Sequence, residues 1–316
     1  MLQKLKKKIF ISLAFAGLLY LGFTIYADYR NVAESFSRFN WFLFPLLLLL
    51  SMANYFFRFL KWDYYLTLLK IKVKKIDSFS IFMSGLIMSV TPGKMGELLK
   101  AYLVKQITNV PVSKTAPIIF AERITDFVSL ILLALFGAYM FDYGRMIVLG
   151  VAIFFLLILI ILSSKKIALS ILASLEKINF LKKYLINIQN AYESSYIMMR
   201  PLPLFYMVLV SLVSWFFECY GFYLILQSFR IDVTLFWSAF AYAFATIVGA
   251  ISMLPGGLGV TEGSLTVLLM KHASKNDAFA SVFIVRVVTL WFAVLVGIIS
   301  VLLYQKRFGK ISEDYI

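Results

Sequence analysis

Two stretches of this sequence carry no charged residue over the length needed to cross a lipid bilayer. Residues 9–27 (IFISLAFAGLLYLGFTIYA) and 147–164 (IVLGVAIFFLLILIILSS) are uncharged throughout. A helix of about 20 apolar residues spans the ~30 Å hydrocarbon layer. Backbone groups in hydrocarbon must bond within their own segment or in a closed barrel. These runs lack the period-2 alternation of a barrel strand, so helices are implied. The expected fold class is an all-α polytopic membrane protein. Composition agrees: 62% of residues are hydrophobic and 15% charged, where a soluble domain is nearer half and a quarter.

About six spanning helices are expected, at 9–27, 41–60, 115–140, 146–163, 204–226 and 279–304. Two further apolar segments, 78–105 and 235–272, are interrupted by Pro92-Gly93 and Pro255-Gly256. Proline removes a backbone donor and glycine is permissive, so neither segment suits one continuous helix. Each reads as a re-entrant helix–break–helix hairpin. The formal net charge of +15 does not point to nucleic acid, because the basic residues sit between the apolar segments. With the N-terminus inside and both hairpins returning, twenty of the 31 Lys and Arg fall on the cytoplasmic side and six outside, as the positive-inside rule requires. The chain is expected in the cell membrane with both termini cytoplasmic. Residues 164–203 are expected to be a cytoplasmic linker with an amphipathic interfacial helix. The N-terminal LKKKIF is followed by no small-residue cleavage site, so 9–27 is expected to remain as the first helix.

Superposing the two Pro-Gly breaks gives an offset of 163 residues. It pairs Ser89 with Ser252, Pro92 with Pro255, Gly93 with Gly256, Gly96 with Gly259 and Arg123 with Arg286. Within a single domain, repeat A then covers about 41–140 and repeat B about 204–304. Three crossings separate the hairpins, an odd number, so the two hairpins enter from opposite faces. Such an inverted repeat places a transporter's site near the midplane, between the broken helices.

Charged residues inside apolar segments cost about 2.5–3.5 kcal/mol each on insertion scales, so each requires a reason. The first hairpin carries Lys94, Glu97 and Lys100, and the span after it Glu122, Arg123 and Asp126. The second repeat carries Glu218, Glu262 and Arg286. Two readings of these charges stand side by side. In one, Arg123 and Arg286 offer guanidinium forks to a phosphate, while the glycines of the breaks (Gly93, Gly96, Gly256, Gly257, Gly259) free backbone N–H groups for an anion. In the other, Arg123–Glu97 and Arg286–Glu262 are structural pairs that tie each hairpin to the span beside it. Glu97, Glu262 and Asp126 are the candidate proton carriers if transport is ion-coupled. Arg58, near the end of its span, is expected to snorkel to the interface. Gly259 and Gly263 form a GxxxG better suited to close packing than to dimerisation.

Other chemistries find little support. A single cysteine, Cys219, cannot form an internal disulfide or a cysteine metal cluster, and a single histidine, His272, builds neither a metal site nor a triad. No GxxxxGK[ST] phosphate loop is present, and no cofactor is expected.

Three elements together carry a family resemblance: T-P-G-x-x-G-E at Thr91–Glu97, E-R-x-x-D at Glu122–Asp126, and P-G-G-L-G-x-x-E at Pro255–Glu262. With them the chain resembles flippase-like membrane proteins related to the transmembrane half of bacterial lysylphosphatidylglycerol synthases, over nearly its whole length. The resemblance implies that it handles an anionic or aminoacylated phospholipid or a polyprenyl-phosphate-linked lipid. It does not imply lysyl transfer, because only QKRFGKISEDYI follows residue 304, where the synthases carry a soluble aminoacyl-transferase domain. Two alternatives stand beside a flippase: a membrane partner of a separate lipid-modifying transferase, and a lysyl-transferase-type enzyme. Homo-oligomerisation stays open.

Overall fold

The computed structural model describes residues 29–91, 96–141 and 185–309, with isolated helical positions between 146 and 157. The expected span 9–27, most of 146–163, and Pro92, Gly93 and Lys94 lie outside the described residues. Among the described residues the regular structure is helical, without strands, so the chain is an all-α polytopic membrane protein.

The first group of helices is α1 (Tyr29–Arg38), α2 (Trp41–Leu68), α3 (Lys75–Gly85, running on as a 3-10 turn Leu86–Val90), α4 (Leu99–Thr108) and α5 (Val112–Phe141). The second is α6 (Leu185–Met198), α7 (Pro201–Ser228), α8 (Leu235–Ile251), α9 (Val260–Leu269) and α10 (Lys275–Phe308, with a π turn at Val287–Trp291). Helices α2, α7 and α10 are long and apolar enough to cross a membrane. Helix α5 has 30 residues, about 45 Å at 1.5 Å per residue, and carries the expected span 115–140.

The Pro-Gly segments are hairpins because their outgoing arms are too short to cross. Helices α4 and α9 have 10 residues each, about 15 Å. In each hairpin the two arms pack side by side. A glycine sets the approach: Gly85 lies against the Lys100 stem, and Gly249 against Thr261.

The two groups correspond element by element, and the structure refines the offset. Up to the breaks it is 160 residues rather than 163. Helices α2 and α7 end in the same motif, with Ile71 N–H bonded to Leu66 O and Ile231 N–H to Leu226 O. The left-handed residue of each is a cation, Lys70 (φ 56°) and Arg230 (φ 55°). In such a cap the residue after the left-handed one packs on the last turn of the helix, and here Leu66, Ile71, Leu226 and Ile231 are all buried. After the breaks the offset is 163: α5 starts at Val112 and α10 at Lys275. Three residues are therefore inserted in the second hairpin's first arm. Helix α6 falls within the expected linker, and its last residue, Met198, stands 160 after Arg38 at the end of α1.

Contacts between the groups are reciprocal. Helix α8 packs on α5, and its counterpart α3 packs on α10. The equivalent residues Asn54 and Ser214 bond each other, Asn54 Nδ2 donating to Ser214 O at 2.8 Å. Equivalent patches meeting each other are the mark of a two-fold relation. Val90, just before the first break, packs with Leu258, Leu290 and Val294 in a small buried cluster.

Candidate functional site

The first group's charges form one buried network joining α2, α4 and α5. Lys61 is fully buried and donates to Asp126 Oδ1 at 2.6 Å, Ser211 Oγ at 2.7 Å, Thr125 Oγ1 at 3.1 Å and the Glu122 carbonyl at 3.3 Å. Lys100 pairs with Glu122, lies 3.8 Å from Glu97, and sits over the Trp62 and Phe82 rings. Arg123 reaches Glu97 at 3.2 Å and Asp126 at 3.3 Å. Arg58 lies 3.8 Å from the same Glu97. A charge removed from water must recover its lost solvation from close partners. Here four cations share three carboxylates.

The second group is built differently. Arg286 Nε donates to Glu262 Oε1 at 2.7 Å, and its Nη2 to the Gly256 carbonyl at 2.6 Å. Glu262 also accepts from Gly259 N–H at 2.8 Å, capping the start of α9. The loop that makes this possible has left-handed backbone at Gly256, Gly257 and Gly259, a region that glycine enters without steric cost. Beyond Arg286 the helix widens into its π turn, a feature frequent at functional sites. Two hydroxyls of α2 dock there: Ser51 donates to Val288 O and Tyr55 to Thr289 O, each at 2.7 Å. Glu218 accepts from Tyr242 at 2.7 Å.

Both groups line one cavity of about 670 Å³. Three guanidinium side chains reach it, Arg58 from α2, Arg123 from α5 and Arg286 from α10, together with the carboxylates Asp126 and Glu218. Ser89, Thr91, Gly256 and Gly257 bring both breaks to its wall. Glu97 and Glu262 stand behind the arginines rather than in the lining. Both pairings expected from the sequence are thus formed, and the paired arginines still face the cavity. Among described residues, the indole Nε1 of Trp215, which lines the cavity at 5% exposure, has no hydrogen-bond partner.

Glu122 is buried against Lys100 and does not line the cavity, and Gly96 N–H is taken by Thr91 Oγ1 at 3.0 Å. Arg58 corrects an expectation: instead of snorkelling it is 7% exposed, at Glu97 and on the cavity wall. Lys61, one residue past the expected span 41–60, is likewise inside and fully buried. The signal for both was helix length. Helix α2 runs to Leu68, eight residues past the expected end of that span. In the sequence Glu218 stands out as a charge in an apolar segment, with no local mark of a site residue. The 160-residue register shows it to be the positional counterpart of Arg58, with the opposite charge.

Residues 9–297 match the protein family described as "Lysylphosphatidylglycerol synthase TM region". A UPF0104 membrane protein of Methanocaldococcus jannaschii is 28% identical over 230 residues, covering 70% of this chain and 95% of that protein. A UPF0104 membrane protein of Methanothermobacter thermautotrophicus is 25% identical over 268 residues, covering 77% and 79% of the two chains.

Proposed function

The chain belongs to the lysylphosphatidylglycerol synthase TM region family, and on that premise we propose that its cavity receives the phosphate of a membrane lipid and that the protein moves such lipids between leaflets. The observation that carries this reading is the convergence of Arg58, Arg123 and Arg286, from both halves, on one cavity. A guanidinium is planar, permanently charged and able to hold two phosphate oxygens at once. In a site walled off from bulk water such contacts are stronger than at a surface. The carboxylates behind the arginines keep them tolerable inside the membrane before a ligand arrives. The substrate class is an anionic or aminoacylated phospholipid, or a polyprenyl-phosphate-linked lipid.

The transport topology belongs to the same proposal: cell membrane, termini cytoplasmic, hairpins entering from opposite faces. Single cysteines at the exposed positions Lys72 and Lys271 should label from opposite sides. Labelling from one side would remove the inverted arrangement. The function is tested with purified protein in liposomes holding a trace of fluorescent phosphatidylglycerol and, separately, a fluorescent polyprenyl phosphate. Faster quenching of the inner-leaflet probe than in protein-free vesicles is expected for at least one lipid. Protein-free rates with every lipid would reject translocation.

A further inference from the structure

The arginines explain how the cavity holds a phosphate, but not where the rest of a lipid lies. A cavity of about 670 Å³ suits a drug-sized molecule; it takes a head group but not two long hydrocarbon chains as well. Those chains must remain in an apolar surrounding continuous with the bilayer. One stretch of the wall meets that requirement. It includes Gly150 and Phe154, and Ile251, Met253 and Leu254 just before the second break. Phe154, Ile251, Met253 and Leu254 are 58%, 53%, 63% and 39% exposed. They line the cavity that the arginines reach and are themselves exposed. The arginine-lined interior and the apolar rim thus form one continuous surface that changes from cationic to hydrocarbon-like.

Two further details mark this rim. Met253 holds φ at 55° without being glycine, a conformation that is uncommon in such residues and found at functional sites. On the same cavity wall, a side chain at Gly150 would meet nothing within 4 Å. The glycine is therefore not required by packing, and it leaves the mouth wide.

We propose that this gap is a lateral portal, through which the hydrocarbon chains of the substrate stay in the bilayer while its phosphate reaches the arginines. The proposal rests on the lipid-translocation reading and specifies it: the ligand is an amphiphile with long chains, entering sideways from the membrane, rather than a free anion entering from water.

The test narrows the mouth without touching the arginines. Gly150→Trp places an indole in open space, and Gly150→Ala is its control. Each is measured twice: fluorescent phosphatidylglycerol quenching in liposomes, and detergent-solubilised binding of inorganic phosphate by calorimetry. The expected result is a loss of lipid movement of about 10-fold or more in Gly150→Trp and a smaller loss in Gly150→Ala, with phosphate affinity and melting temperature at the wild-type values. Met253→Cys serves as a second probe: a bulky maleimide on this exposed position should block lipid movement, and a methylthio group should not. Wild-type lipid rates in both Gly150→Trp and the maleimide-modified protein would overturn the portal. Equal loss of phosphate binding and lipid movement would also overturn it, by placing the effect at the head-group site. Failure of the translocation reading looks different, because the wild-type protein itself would then show no lipid movement.

Discussion

The two halves share a plan and differ in how each holds its hairpin. In the first half, the hairpin is tied by Lys100 to Glu122 and by Glu97 to Arg58 and Arg123. It is also tied by Asp77 at its base to Arg307 of α10 at 2.8 Å. Gly297 of α10 comes so close to Ile87 that any side chain there would overlap its backbone. In the second half the positions of Lys61 and Lys100 are held by Gly221 and Gly263, those of Glu122 and Asp126 by Val285 and Thr289, and that of Gly297 by Ala134. The Arg286 pair with Glu262 and its bond to Gly256 hold that loop, which contains three left-handed glycines. Among the described residues, several ion pairs tie the first hairpin to its neighbours, whereas the Arg286–Glu262 pair and the Gly256 bond hold the second. Two-fold related architecture therefore does not require two-fold related energetics; a handful of substitutions places most of the buried charge on one side.

The comparison breaks most readily at Lys61. Lys61→Met leaves Asp126 facing the loss of its closest cation, and removing one partner of a buried pair costs about 3–5 kcal/mol. A large fall in melting temperature in detergent is expected. The double variant Lys61→Met, Asp126→Leu should recover much of it, since an apolar pair of similar volume tolerates burial. No recovery would mean that Asp126 is needed for Arg123 and not for Lys61.

Next in size is the effect on transport of the two repeat-equivalent arginines. Losing a charge-assisted hydrogen bond costs ~1.5–3 kcal/mol, about 10- to 100-fold in rate or affinity. Arg286→Gln should lose transport in that range and also lower the melting temperature, because Glu262 loses its buried cation; the double variant Arg286→Gln, Glu262→Gln should recover the melting temperature but not transport. Arg123→Gln should lose less, because Arg58 stands beside it at Glu97. Equal losses would show that the cavity uses the halves symmetrically. Transport that recovers together with the melting temperature in the Arg286→Gln, Glu262→Gln double variant would assign Arg286 to structure alone.

The smallest effect probes the lightly held hairpin. Gly263 sits inside α9, where an added methyl meets nothing within 4 Å. Gly263→Ala should stabilise by about 0.5–1 kcal/mol, the ordinary helix difference between the two residues. A destabilised variant would show that this face is packed against a surface formed in another state of the protein.

Much of the site was legible because its signals are local. Arg123, Arg286, Glu97 and Glu262 stood out as charges in apolar segments beside Pro-Gly breaks, and the pairs expected from that pattern are formed. Arg58 and Lys61 are misplaced by an expected span of 41–60, which leaves both at the interface. In the folded protein, Glu97 and Asp126, distant in sequence, meet those cations and let the helix run on to Leu68. Glu218 could not be matched to Arg58 while the repeat was read at one offset, because the three added residues lie ahead of the break.

What the sequence alone determined is the class of molecule and the plan of its repeat. An uncharged run in hydrocarbon must satisfy its backbone within its own segment, and a Pro-Gly pair disfavours a continuous helix. Only tertiary structure decided which charges share a cavity, which stand behind it, and which half bears the heavier ionic network. Those outcomes depend on the approach of segments as far apart as Lys61 and Ser211, or Arg38 and Asp277. Such contacts follow from packing in three dimensions and leave no periodicity along the chain.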